Sequence, residues 1–346
     1  MGSPSATRAG IALSLAPGIG RVRFRELVDE GEGHEIELAR AVPASSREAL
    51  LDQADLLVAA AQACGCEIMV YGLAPYPARL RDLPDPPPVL FVDGHSEWLE
   101  GGVIVGIVGT RAATGYGERV AREISAQLAR AGALVASGMA RGIDGAAHRG
   151  ALGAGGRSLA VLGTGIDIAY PAAHRAMHAE LRERGVVVTE QPPGEKATGG
   201  SFPERNRIIA ALSDLVIVIE AGRKSGALIT ATRALELGRV VAAVPGPIDS
   251  PQSAGSNELL RDGAQLIASA EDALALAGLT LPPRAPAIEV GGVERVVWDA
   301  LDRGALDLDT LASHTALPAR EVMAAVTRLE LSGAVECALT GEVRRR

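Results

Sequence analysis

The chain has 346 residues, a formal net charge of −8, and 47% apolar against 22% charged side chains. This composition is typical of a globular protein long enough for two or three domains. The net charge excludes indiscriminate binding to nucleic acid, but it leaves room for a local basic groove. The sequence has no run of 18 apolar residues, so we expect no membrane span and a cytoplasmic protein.

Residues 1–70 are predicted to form a helical N-terminal module. The turn Pro17-Gly18-Ile19-Gly20 separates two apolar helical stretches. A Gly-Ile-Gly turn of this kind either presents backbone N–H groups to a phosphate, as in helix-hairpin-helix and SAM-like modules, or simply joins two helices. A proline-rich stretch from Tyr71 to Gly94 follows, and it is predicted to be an extended connection.

Residues 71–280 are predicted to form the main domain, because buried strands alternate there with helices from Val103 onward. Continuous apolar strands with crossover helices indicate an α/β fold with a doubly wound, mostly parallel sheet of extended Rossmann type. Ligands of such folds bind beyond the carboxyl ends of the strands. The predicted strands are "VIVGIVGT", "ALVAS", "RSLAVLGTG", "VVVTE", "DLVIVIEA" and "RVVAAVP".

A Pro/Gly linker over 281–292 separates this core from a short C-terminal unit over 293–346. Three helical segments followed by a hairpin turning at Thr340-Gly341 are typical of a winged helix. The predicted recognition helix carries Arg320, Glu321 and Arg328 with Glu330, so its charges balance. A reader of duplex DNA normally shows a positive face there, which favours protein contact or packing over DNA readout.

The predicted strand ends carry small and basic residues that suit an anionic ligand. Small residues let a ligand approach the backbone, and helix N-termini favour negative charge. Arginines and a lysine are assigned to the same rim, so we expect a positive cleft for a phosphate chain. The candidates are Gly109, Thr110, Arg111, Ser137, Gly138, Arg141, Gly163, Thr164, Gly165, Arg205, Arg207, Lys224, Ser225 and Gly226.

Nucleotide cofactors and catalytic groups find little support in the sequence. The G-x-G-x-x-G spacing of dinucleotide sites and the P-loop spacing are both missing at the strand ends. The strand-end carboxylates Asp144, Asp167, Glu190 and Glu220 each have a structural interpretation, and His148 is spaced to pair with Asp144. The sequence therefore predicts no catalytic residue, no metal site and no cofactor.

Several long motifs in chain order resemble the DprA family, also called Smf. They cover roughly Tyr71 to Ala268, and the helical and winged-helix ends also fit. The motifs are "VGTRAATGYG", "SGMARGIDGAAHRGAL", "AVLGTGIDIAYP", "FPERNRIIAALSD", "VIEAGRKSGALITATRALELGRVVAAVPG" and "GSNELLRDGA".

This resemblance implies a cytoplasmic, non-enzymatic protein that binds single-stranded DNA. The family protects incoming DNA during natural transformation, helps to load the RecA recombinase, and commonly forms homodimers through its Rossmann core. The family's DNA pocket includes an arginine that corresponds to Arg111 and an aromatic residue that corresponds to Phe202. With Arg205, Asn206 and Arg207 at a helix start, one arginine is expected to meet phosphate while Asn206 and the other arginine brace the loop.

The sequence departs from the family pattern at several positions. His174 stands where an asparagine is common, Thr189 replaces a serine, and Gly199 and Gly200 replace a lysine of some members. A nucleotide-processing enzyme of the phosphoribohydrolase type is the alternative, because it shares a similar core. The glutamate-bearing P-G-G-x-G-T-x-x-E stretch of those enzymes has no counterpart here. A third alternative, sequence-specific regulation by the winged helix, is disfavoured by the balanced charges of its recognition helix.

Overall fold

The structure is a computed structural model that describes residues 3–281, 291–301, 304, 306–332, 334–338 and 341–345. The chain divides into two compact units, Met1–Leu281 and Pro282–Arg346. Most of the predicted linker lies outside the described residues.

The first unit begins with four helices and continues with alternating strands and helices. Its helices are α1 Pro4–Ser14, α2 Arg21–Glu30, α3 His34–Ala41, α4 Ala44–Cys64, α5 Gly115–Arg130, α6 Ile143–Gly153, α7 Arg175–Arg184, α8 Ser201–Leu212, α9 Gly226–Glu236, α10 Ala254–Arg261 and α11 Ala270–Leu276. Its strands are β1 Glu67–Val70, β2 Val89–Gly94, β3 Ile104–Val108, β4 Leu134–Ser137, β5 Arg157–Val161, β6 Val186–Thr189, β7 Leu215–Val218, β8 Val240–Ala243 and β9 Gln265–Leu266.

Within residues 3–281 these strands form one sheet in the order β1-β2-β6-β5-β4-β3-β7-β8-β9. In this order, the neighbouring strands β6, β5, β4, β3, β7, β8 and β9 all pair in parallel. By contrast, β2 pairs antiparallel with both β1 and β6. This confirms the predicted doubly wound, mostly parallel sheet. The strand order reverses between β3 and β7, which is the switch point where such sheets bind ligands.

Hydrophobic side chains cover both faces of the sheet. Along β3, Ile104 and Val108 belong to one buried cluster, and Val105 and Ile107 belong to the other. Successive strand residues point to opposite faces, so the two clusters lie on opposite sides of the sheet. Helices α5, α6 and α11 pack on the side of Val105, and the N-terminal helices with α8 and α9 pack on the side of Ile104.

The N-terminal helices share a core with the sheet. Ile11 of α1 and Phe24 of α2 belong to the same buried cluster as Phe91 of β2. The predicted extended connection contains β2, and β1 already begins at Glu67, before the predicted boundary at residue 71. The proline-rich flank concealed both strands in the sequence, and β2 is joined to the rest of the sheet by β6, which lies far away along the chain.

The second unit has three helices and a small antiparallel sheet in its described part. The helices are α12 Gly292–Ala300, α13 Leu308–Thr315 and α14 Ala319–Leu331, and the strands β10 Leu306–Asp307, β11 Val335–Cys337 and β12 Glu342–Arg345 pair in the order β10-β12-β11. Val297, Leu311, Val322 and Val326 form its core. This is the predicted winged helix; Thr340 of the predicted hairpin turn lies outside the described residues.

Candidate nucleic-acid interface

A cleft of about 460 Å³ lies at the carboxyl ends of β3 and β7, at the switch point of the sheet. It is formed by the loops after these two strands, the start of α9, and the side of α8. Its lining includes eight of the predicted site residues: Gly109, Thr110, Arg111, Arg205, Asn206, Lys224, Ser225 and Gly226.

Glycines allow the loops to approach one another at this edge. A Cβ on Gly109 would lie 2.5 Å from Cγ1 of Ile143 and 2.8 Å from the carbonyl oxygen of Glu220. Gly142 has φ +72°, and a Cβ there would meet the Thr110 carbonyl at 2.4 Å. Any larger residue would therefore push these loops apart, because a Cβ at either position would meet a backbone carbonyl at less than 3.0 Å.

Glu220 is a structural residue at the end of β7. Its carboxylate accepts hydrogen bonds from the Thr114 amide at 2.9 Å and the Thr114 hydroxyl at 2.6 Å. Thr114 in turn caps α5 by accepting a bond from the Gly117 amide. Glu220 thus ties the β3–α5 loop to β7.

Two exposed cations face the cleft. Arg111 and Lys224 both line it, and neither has a carboxylate partner among the described residues. Lys224 precedes Ser225, whose hydroxyl caps α9 by accepting a bond from the Ala227 amide at 3.3 Å. The N-terminus of α9 therefore adds its partial positive charge to the two side chains. The cleft has the electrostatics expected of a phosphate site.

An aromatic pair adjoins the cations. The guanidinium carbon of Arg111 lies 4.8 Å from the centroid of the Phe202 ring, and the Tyr170 ring lies 5.1 Å from Phe202 at an interplanar angle of 37°. Gly163 lies beneath this ring, since a Cβ there would be 3.1 Å from Cδ1 of Phe202. The sequence analysis did not select Tyr170 as a site residue, although Tyr170 and Pro171 close the third-strand motif. Pro171 was the only residue there that indicated an ordered loop.

Arg205 is a buried brace. Its side chain is 3% exposed and donates to the carbonyls of Gly138, at 2.6 Å, and Val161. Burial lowers the pKa of Arg205 to about 10, although nearby Asp144 opposes the shift. Burial also raises the pKa of Asp144, which accepts a bond from the Ala140 amide at 3.3 Å. Arg205 thus joins the ends of β4 and β5 beneath the cleft.

Arg207 points away from the cleft. Its guanidinium forms ion pairs with Asp85 at 2.9 Å and Glu190 at 2.8 Å, and it is 5% exposed. Arg21 from the N-terminal module pairs with the same Glu190 at 3.1 Å and with Glu204 at 2.8 Å. Both arginines therefore have protein partners in this structure, and the expectation that one of them meets a phosphate stays a prediction.

Asn206 connects α8 to α9. It donates to the Gly226 carbonyl at 3.2 Å and accepts from Nε of Arg205 at the same distance. This matches the bracing role expected of it. The amide nevertheless lines the cleft.

The other predicted site residues lie outside the cleft lining. Ser137 is buried and donates to the Ile107 carbonyl at 2.7 Å. Thr164 is buried and donates to the Ile168 carbonyl at 2.8 Å, and Gly165 packs against the Pro192 carbonyl. Gly138 packs against the Arg205 guanidinium, and Arg141 is exposed before α6. These residues shape the loops that support the cleft.

The proposed pairing of His148 with Asp144 is not seen. His148 Nδ1 lies 2.8 Å from the hydroxyl of Ser158, which donates to the Val135 carbonyl. Nε2 is buried without a hydrogen-bond partner.

The described residues offer neither a metal cluster nor a membrane-spanning helix. Among the described residues, no group of three or more His, Cys, Asp or Glu side chains could hold a metal ion. No helix in the described ranges is long and apolar enough to cross a membrane.

The chain matches known proteins over most of its length. A family model described as "DNA recombination-mediator protein A" matches residues 67–278, and one described as "DprA winged helix domain" matches residues 281–338. A curated relative, the "Putative DNA processing protein DprA" of Mycobacterium tuberculosis, is 46% identical over 239 residues, covering 67% of this chain and 61% of the relative. The alignment thus spans about three fifths of that protein's length.

Two solved structures are similar. One is described as the "X-ray structure of DNA processing protein A (DprA) from Streptococcus pneumoniae" (TM-score 0.65, 32% identity, 78% of this chain and 95% of that chain). The other, from Helicobacter pylori, is described as giving "structural insights into the unique single-stranded DNA binding mode" of its DNA processing protein A (TM-score 0.56, 30% identity, 62% of this chain and 98% of that one). On the family match and these identities, this chain belongs to the DNA recombination-mediator protein A family, DprA or Smf.

Proposed function

We propose that this chain is a single-stranded DNA-binding recombination mediator that protects incoming DNA and helps to load the RecA recombinase during natural transformation. The observation that carries the proposal is the contact between Arg111 and Phe202 at the edge of the cleft. A cation beside a partly exposed aromatic ring is a combination that can bind a phosphate and stack an adjacent base. The related H. pylori protein, whose description names single-stranded DNA, supports the same ligand.

In this proposal, one set of the described residues binds phosphates through charge and another set stacks on bases. Arg111, Lys224 and the N-terminus of α9 hold phosphates along the cleft. Phe202 and Tyr170 offer ring faces to bases. Arg205 and Asn206 keep the cleft open by bracing its walls. Contacts of these types recognise backbone and ring faces, so binding is independent of base sequence.

The proposed activity is non-catalytic and needs no cofactor. The two carboxylates nearest the cleft support this view, since Glu220 is engaged by Thr114 and Asp144 lies beside Arg205. A phosphoribohydrolase would need a carboxylate free to act on a ribose. Titration of labelled oligonucleotide with the protein, alongside an AMP-hydrolysis assay, separates the two. We expect tight oligonucleotide binding and no released base; base release without oligonucleotide binding would overturn the proposal.

The partners and organisation are part of the same proposal. We propose a cytoplasmic homodimer formed through the Rossmann core, with residues 71–280 as the DNA-binding domain, 281–292 as a linker and 293–346 as a winged helix that contacts protein. In the winged helix, Arg328 of α14 pairs with Glu294 of α12, which leaves that helix with little net positive charge. RecA filament growth on strands coated with single-strand-binding protein tests the loading step. The protein should shorten the lag before filament growth, and an unchanged lag would contradict the proposed loading of RecA.

A further inference from the structure

A second groove lies on the outer surface of the first unit, between α5 and α6. It has a volume of about 510 Å³. We call it the arginine groove and define it by its lining: Arg119, Arg122, Glu123, Ala126, Gln127, Arg130, Arg149, Gly150, Gly153 and Ala154. It shares no lining residue with the cleft at the ends of β3 and β7.

The groove follows from the helical spacing of α5. Ala121, Ile124 and Leu128 point into the core, whereas Arg119, Arg122 and Arg130 recur on the opposite side of the helix. Across from them, small residues of α6 form the floor. A Cβ on Gly150 would lie 2.3 Å from the Arg122 carbonyl, so the two helices are in close contact. The result is a shallow channel with guanidinium groups along its sides.

Most of these guanidinium groups lack an acidic partner. Elsewhere on the surface, Arg184 pairs with Glu180 at 2.7 Å and Arg233 pairs with Glu236 at 2.8 Å within their own helices. In the groove, Arg122 has only a distant pair with Glu118 at 3.9 Å. Arg119, Arg130 and Arg149 have no carboxylate within 4.0 Å among the described residues. Glu123 is the acidic member of the lining, so the groove is net positive on a chain of net charge −8.

The arginine groove follows the cleft along the chain. The loop that carries Arg111 leads directly into α5, and Thr114 fixes this junction to Glu220. Tyr116 in the first turn is 39% exposed, and the guanidinium carbon of Arg119 lies 5.7 Å from its ring centroid. A second arginine beside an aromatic ring thus lies in the first turns of α5, eight positions after Arg111.

We propose that the arginine groove is a second binding track for the single strand, which takes up its sugar–phosphate backbone after it leaves the cleft. This inference rests on the proposed function of the cleft. Arginine forks match phosphate oxygens, and a groove of cations that follows the sugar–phosphate backbone is typical of single-strand tracks. Arg119 and Arg130 are eleven positions apart, which is about 16 Å along a helix, so the groove contacts several nucleotides. The direct chain connection between the loop of Arg111 and α5 favours the strand proposed for the cleft over an acidic peptide.

The test compares a short strand with a long one. A strand of roughly six nucleotides fills the cleft, and one of roughly thirty also reaches the groove. The variant Arg119→Ala/Arg130→Ala/Arg149→Ala removes the unpaired cations of the groove. Its control, Arg23→Ala/Arg40→Ala/Arg184→Ala, removes three arginines that are at least half exposed on α2, α3 and α7. Both variants lose the same charge, and equal melting temperatures establish that both are folded.

For the long strand, the slope of log affinity against log salt should become shallower by about 2 in the groove variant, at roughly 0.7 per phosphate contact. The short strand should bind the groove variant and the parent alike, and the control should match the parent with both strands. An unchanged long-strand slope, or an equal loss on the short strand, would overturn the inference and leave the cleft's role standing. If a poly-glutamate peptide competed for the groove and the long-strand slope of the groove variant did not change, the groove would be a peptide site. That result would also overturn the inference. If the parent bound neither strand, the proposed function itself would fail.

Discussion

Arg111 and Phe202 come from loops 91 positions apart in the chain, yet the guanidinium carbon of one lies 4.8 Å from the ring centroid of the other. Arg111 belongs to the loop after β3 and Phe202 to the first turn of α8. The sheet brings them together because its strand order reverses at this point. This contact places a permanent positive charge beside an aromatic surface at the edge of the cleft.

Arg111→Ala and Phe202→Ala should both weaken single-strand binding, but in different ways. Loss of Arg111 should make the salt slope shallower by about 0.7, because one phosphate contact is removed. Loss of Phe202 should cost about 1–3 kcal/mol of binding free energy with little change of slope, because stacking releases no counterion. Fluorescence anisotropy at several salt concentrations measures both quantities.

The double variant adds a check on the contact itself. Since the two side chains touch, their effects should not be additive. Arg111→Lys, which keeps the charge but loses the planar fork, is the matched control. A variant of Arg111 that binds normally but melts several degrees lower would make this arginine a structural brace instead.

Lys224→Ala should reduce the salt slope by about 0.7 without changing stability, because the side chain is exposed and faces the cleft. Lys196→Ala is the control, as Lys196 is exposed in the loop before α8 and does not line the cleft. Equal slopes for the two variants would show that Lys224 does not meet a phosphate.

Arg205→Ala should destabilise the fold by roughly 2–6 kcal/mol, at about 1–3 kcal/mol for each buried carbonyl, because it leaves the carbonyls of Gly138 and Val161 without their donor. Urea denaturation measures the loss. Arg207→Ala should act similarly through Glu190, which is almost as buried as Arg207 itself. If either variant kept the parent's urea midpoint and lost only DNA affinity, that arginine would be a ligand contact rather than a brace.

The sequence was sufficient to predict the sheet, the edge where the cleft lies, and Arg111 beside it. Runs such as "VIVGIVGT" are long, apolar and followed by small residues, so they identify buried parallel strands and their open ends. The two arginines of α8 show where this reasoning fails. Spacing predicts that Arg205 and Arg207 point differently, but their partners at Gly138, Asp85 and Glu190 are fixed only by the tertiary fold.

His148 should make stability depend on pH. Burial lowers its pKa to about 3 from an ordinary value of 6.5, so the folded state leaves it neutral. Between these values the unfolded chain binds a proton that the folded chain does not, and stability therefore falls as the pH decreases through this window. At pH 5 the loss relative to neutral pH is about 2 kcal/mol, at roughly 1.4 kcal/mol per pH unit.

The comparison with His148→Gln isolates this contribution. The raised pKa of Asp144 acts in the opposite direction, since a carboxyl that prefers to be neutral loses stability as pH rises above its unfolded value of about 3.8. The lowered pKa values of His34 and His178 act in the same direction as that of His148. All three effects are common to parent and variant. Between pH 7 and pH 5 the free energy of unfolding should fall more steeply for the parent than for the variant. Parallel curves would mean that the folded protein accommodates a protonated His148, and they would contradict the prediction.

The salt dependence of binding to a single strand and to a blunt duplex of the same length tests the central claim most directly. If the cleft neutralises about two or three phosphates through Arg111, Lys224 and the N-terminus of α9, log affinity for a short single strand should fall with log salt at a slope of about −1.4 to −2. The duplex should bind more weakly at each salt concentration, because its bases are not free to stack on Phe202 and Tyr170. A slope near zero, or equal affinity for the blunt duplex, would contradict the assignment of this cleft to single-stranded DNA.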